Sequence, residues 1–216
     1  IPQDNDLFLI DGALDRRSSA MPALTEGFIL ATGAVVGNTV DLVMKRTMHE
    51  INRLTMPVVD NAHLRTTALS LFKDGSDGIL YDDGKVDLLT SRTSFGNIKE
   101  IREKELDKIR AFFFNGALID SFIEKLLYKL RVHDCDIIVR DGTRIFLNKR
   151  NLNLLKKSAI NLQVLNSLRL LAVTVNPTSP YGVKLDSERL VARLRNKIDG
   201  VPVHDIMSQD YQSLKG

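Results

Sequence analysis

Short apolar runs, each closed by a small polar residue and a glycine, alternate along this chain with longer segments of helical period. A strand buried on both faces reads as continuous apolar residues, while a helix shows its buried stripe every three or four positions, so the alternation points to an α/β fold. Leu7-Phe8-Leu9-Ile10 stops at Asp11-Gly12, and Phe28-Ile29-Leu30-Ala31 stops at Thr32-Gly33. Thr39 is placed to cap a helix whose stripe is Val40, Val43, Met44, Met48, Ile51 and Leu54, with Pro57 as its stop. The turn signal Asp83-Gly84 predicts an antiparallel hairpin, and Asn97 with Glu100 reads as the start of a charged helix through Lys108.

A second α/β series follows. Phe112-Phe113-Phe114 meets Asn115-Gly116 ahead of a helical stripe from Leu118 to Leu130, and Asn148 is placed to cap a basic helix through Lys157. The run Leu170 to Val175 is the most strand-like in the chain and ends at Asn176-Pro177. A helix is expected over Asp186 to Ile198, and Val201-Pro202-Val203 reads as a short edge strand. The expected fold is α/β: a mostly parallel sheet with helices on both faces, P-loop-like or Rossmann-like, with a small antiparallel hairpin insertion. Its expected division is a first α/β lobe over 1–73, a hairpin and charged helix connecting over 74–110, and a second α/β lobe over 111–216.

Composition narrows the partners. With 216 residues, 44% of them hydrophobic, the chain can fill a substantial core. A formal charge of +3 falls short of the dense positive field of a nucleic-acid binder, and no apolar run reaches the roughly 18 residues of a membrane span. Neither nucleic acid nor membrane is therefore expected as a partner. One cysteine, Cys135, excludes an intrachain disulfide framework and fits the cytoplasm. Asp134 and Asp136 beside it would raise its pKa and disfavour a thiolate nucleophile. The opening Ile-Pro-Gln-Asp-Asn-Asp, entering an apolar run at once without Met, reads as part of a longer protein.

Three strand ends share one pattern of apolar strand, small polar residue and Gly-Ala: Asp11-Gly12-Ala13, Thr32-Gly33-Ala34 and Asn115-Gly116-Ala117. At the carboxyl ends of parallel strands such corners open onto the crevice where ligands bind, and glycine lets the backbone approach an anion. Gly12, Thr32, Gly33, Asn115, Gly116 and, after the last long strand, Asn176 are the candidate ligand contacts, against the plain alternative that they serve helix packing. Asp11 follows four apolar residues as the acid of a Walker B strand does, so its carboxylate is the candidate to hold Mg²⁺ through water. Asp15 supplies a second candidate catalytic carboxylate, while Arg16, Arg17 and Ser18 offer donors to phosphate. No Gly-x-x-x-x-Gly-Lys-Ser/Thr motif occurs, so these residues alone are not expected to hydrolyse ATP. His49, His63, His133 and His204 lack the spacing of a helical zinc site. Arg140, Arg144, Lys149, Arg150, Lys156 and Lys157 read as a solvated basic face.

The stretches Phe8 to Ser19, Phe28 to Val35, Phe114 to Phe122 and Leu171 to Pro180 resemble the accessory, reactivase-type family associated with the adenosylcobalamin-dependent lysine 5,6-aminomutase. The resemblance spans most of the chain and implies a Gly-Lys-Thr phosphate loop upstream of the matching region. It also implies Mg²⁺ and ATP as cofactors of the complete protein, with Asp11 near Mg²⁺ and Arg16 or Arg17 near phosphate. Nucleotide binding would drive release of damaged cobalamin. The implied partners are the aminomutase and a second accessory subunit, with a homodimer left open. Two other readings stand beside this one: a phosphoryl-transfer or amino-acid-metabolism enzyme using Asp11 and Asp15, and a non-catalytic ligand-sensing or structural module.

Overall fold

The computed structural model describes residues 9–10, 21–22, 24–89, 106–129 and 134–208. Among them the chain is α/β, but its strands form two principal sheets rather than one. The larger has the order β3-β2-β4-β6-β8, from β2 (Asp77–Tyr81), β3 (Val86–Leu89), β4 (Ile109–Phe114), β6 (Asp134–Asp141) and β8 (Ala159–Asn166). The smaller has the order β1-β9-β10, from β1 (Phe28–Gly33), β9 (Leu170–Asn176) and β10 (Val203–Asp205), all parallel. A two-residue pair, β5 (Leu118–Ile119) with β7 (Ile145–Phe146), lies apart.

This corrects the expected mostly parallel sheet. The larger sheet is mixed: β4, β6 and β8 run parallel, whereas β2 is antiparallel to both β3 and β4. The hairpin is not an insertion. Its Asp83-Gly84 turn, with Gly84 at φ +82°, is too short to return a strand in parallel, so β3 must run against β2, and the pair joins the sheet beside β4. Among the described residues, helices pack on both faces of the larger sheet and on one face of the smaller. On the smaller one Leu30, Val173, Val175 and Val203 pack against helices, whereas Ile29 and Ala31, expected to be buried, are exposed on β1. Leu9 and Ile10 are also exposed and in no strand; Leu7 and Phe8 lie outside the described residues.

Alternation along β4 explains the layering. Ala111 and Phe113 point to one cluster with Leu64, Ala68, Leu71 and Phe72 of α2 (Ala62–Lys73), while Phe112 and Phe114 point to another. There Phe122 of α3 (Asp120–Glu124) sets its ring edge-on to both, at centroid distances of 5.6 and 4.7 Å. The helix expected from Leu118 is broken up: Leu118 and Ile119 pair as β5, and a π-helical turn at Lys125–Lys129 follows α3. Of the charged helix expected from Asn97, residues 97–105 lie outside the description and Leu106–Lys108 is a 3₁₀ turn.

The capped helices form where their caps sit. The Thr39 hydroxyl accepts from Leu42 N at 3.2 Å to start α1 (Val40–Leu54). Asn148 Oδ1 accepts from Asn151 N at 2.9 Å to start α4 (Lys149–Lys157), and Asp186 Oδ1 accepts from Arg189 N at 3.0 Å to start α5 (Ser187–Arg195). Both α1 and α5 pack on the smaller sheet through Val43, Met44, Ile51, Leu190, Val191 and Leu194.

The two sheets meet at the end of α1. Arg53 is 1% exposed, donates to the Ile145 carbonyl of β7 and pairs with Glu50. Gly142 sits so close that a Cβ there would lie 2.3 Å from the Leu54 carbonyl oxygen. Beyond α1, Val59 N donates to Val164 O and Val164 N to Pro57 O, both at 2.9 Å, tying the chain to β8. Replacing Arg53 by Met should leave the Ile145 carbonyl and Glu50 without this partner and lower unfolding stability by about 3 kcal/mol. Urea denaturation of the wild type and the variant measures it.

Candidate functional site

Two of the predicted ligand corners lie side by side. Gly33 and Asn176 are register partners at the carboxyl ends of β1 and β9, and Ala34 N donates to Asn176 O at 2.9 Å. Gly33 has φ +145°, and a Cβ would fall 1.8 Å from the Asn176 carbonyl oxygen, so only glycine permits this approach. Thr32 is buried, its hydroxyl 2.6 Å from that of Thr47 on α1. Asn176 Oδ1 accepts from Thr178 N at 3.0 Å, shaping the turn that leaves the strand.

The Asn115-Gly116 corner belongs to the other sheet, at the end of β4. Its amides are already engaged: Asp77 Oδ1, on a residue 6% exposed, accepts from Asn115 N at 2.7 Å and from Gly116 N at 3.4 Å. Arg140 donates to Asn115 Oδ1 at 2.8 Å. An internal carboxylate thus holds the position that an external anion would take at such a corner. The remaining predicted residues, Asp11 with its metal role, Gly12, Asp15, Arg16, Arg17 and Ser18, lie outside the described residues.

A different concavity lies where α1, α4 and α5 meet, with a volume of about 360 Å³. From α1 it takes Asp41, Met44, Lys45, Met48, His49 and Asn52; from α4 it takes Lys149, Leu152, Asn153 and Lys156. Each set follows the three- and four-residue spacing of a single helix face. Met56, Arg193 and Lys197 complete the lining. Met44, Met56 and Leu152 are buried and form an apolar floor, while among the described residues the lining holds five cations and one carboxylate, Asp41. Arg193 hydrogen-bonds and pairs with Asp41, holding that carboxyl below the usual range. Burial, with the charges of Arg53 and Lys149, holds the His49 imidazole below its ordinary range, against the opposing pull of Glu50 and a hydrogen bond to the Leu147 backbone.

The basic run read as one solvated face is therefore divided. Arg140 serves the Asn115 corner, Arg144 lies 3.8 Å from the Met21 sulfur, and Lys149 and Lys156 line the cleft. Lys45, Arg193 and Lys197 carried no signal in sequence, because nothing in their spacing says that three separate helices converge. Among the described residues no group of three His, Cys, Asp or Glu is arranged to hold a metal ion, and no helix is long and apolar enough to cross a membrane. Burial first, then Asp136 and Asp134, push the Cys135 thiol up to about 12, so the neighbouring carboxylates are the lesser cause. The chain matches no family model, no curated protein and no solved structure.

Two measurements check these assignments. Asp77→Ala leaves the Asn115 and Gly116 amides unpaired and should cost about 1–3 kcal/mol of stability in urea unfolding. Cys135 should resist an aromatic disulfide reagent at pH 8 in the folded protein and react on unfolding, because its proton leaves near pH 8.5–9 only once burial is lost.

Proposed function

We propose that this chain is part of a nucleotide-linked accessory protein, a reactivating factor for a cobalamin-dependent amino-acid aminomutase, acting through protein contacts. The observation that carries the reading is that Gly33 and Asn176, two of the residues expected to contact ligand, lie side by side at the carboxyl ends of parallel strands, the side of open α/β sheets on which ligands bind. The residue-level resemblance supplies the finer content. Asp11 would order water on Mg²⁺, Arg16 or Arg17 would meet phosphate, and the aminomutase with a second accessory subunit would be the partners. A cytoplasmic setting belongs to the same proposal, supported by one cysteine, buried and reduced.

The test is calorimetric titration of Mg²⁺-ATP into this chain and into a longer one bearing the implied upstream phosphate loop. The longer chain should bind, and Asp11→Asn should weaken that binding by at least about tenfold, the loss expected when one charge-assisted contact goes. Absence of binding by both chains overturns the reading.

A further inference from the structure

We propose that the cleft between α1, α4 and α5 binds a small organic phosphate, with its phosphate among the rim cations and its apolar part on the methionine floor. The argument begins with charge. The whole protein carries a net +3, yet this one concavity collects five cations against a single carboxylate. Exposed lysines gathered around one small concavity set up a local positive potential that favours a polyanion. Lysines suit phosphate as mobile point charges, and Arg193 already has Asp41 as its partner, so the lysines carry the unmatched charge.

Shape and floor narrow the class. A volume of about 360 Å³ falls at the lower end of small-ligand pockets. Inorganic phosphate would engage the rim alone, whereas an ester with a compact apolar group would also meet the half-buried Met48 and the edges of the floor beside it. His49, held below its ordinary range, lines the same space as a neutral ring able to donate or accept a hydrogen bond. This site stands apart from the Gly33-Asn176 edge and does not depend on the nucleotide reading.

The experiment is an NMR titration of phenyl phosphate and, separately, of inorganic phosphate, following the His49 ring and the methionine methyl groups. Phenyl phosphate should shift His49, Met44 and Met48 and bind at least about tenfold more tightly than inorganic phosphate, as burial of part of an apolar ring requires. Lys45→Gln with Lys197→Gln, both at exposed positions, should weaken that binding by about tenfold or more without lowering the melting temperature. Equal affinity for the two ligands, shifts outside the cleft, an unaffected double variant, or tighter binding of an Asp/Glu-rich peptide than of phenyl phosphate would each overturn the proposal. A failed Mg²⁺-ATP titration leaves it standing.

Discussion

The buried Arg53 donates to the Ile145 carbonyl and so ties α1, which packs on the smaller sheet, to a segment whose Ile145 lies in the core of the larger one. Arg53 closes the C-terminal end of α1, a helix that packs on the smaller sheet, while Ile145 opens β7 beside the larger one. A guanidinium buried to this depth keeps its charge only with partners, and Glu50 and the carbonyl provide them. The missing side chain at Gly142 lets the two backbones touch there. Since α4 begins three residues after β7, fixing β7 against α1 also fixes Lys149 near His49.

Strand ends of nearly the same sequence do different work once folded. Thr32-Gly33-Ala34 closes against a neighbouring parallel strand, with its glycine pressed on a carbonyl. Asn115-Gly116-Ala117 closes on Asp77, a carboxylate delivered by an antiparallel strand. Both arrangements pair the backbone amides that follow the strand, one with a carbonyl and one with a carboxylate. The difference lies in which strand the tertiary fold sets alongside.

Much of the local structure was legible because its causes are local. Thr39, Asn148 and Asp186 cap helices through atoms three residues away, Asp83-Gly84 makes its turn from its own dihedral preferences, and the run ending at Val175 is a strand because its valines must be buried. Leu118 to Leu130 misled because leucine spacing fits a helix equally well whether or not its first residues pair with β7. Sheet membership was harder still. An apolar run such as Phe112-Phe113-Phe114 is the same string beside a parallel β6 or an antiparallel β2, and here it has both.

The sequence by itself determined the alternation of strands and helices, the caps and the hairpin turn, since each rests on neighbours within a few residues. Only the tertiary structure decided that the strands divide into a mixed sheet and a parallel one, that Asp77 fills the Asn115 corner, and that Lys45, Lys149, Lys156, Arg193 and Lys197 share a cleft. Those outcomes depend on residues far apart in the chain whose meeting is set by packing, and one-dimensional spacing carries no record of which faces pack together.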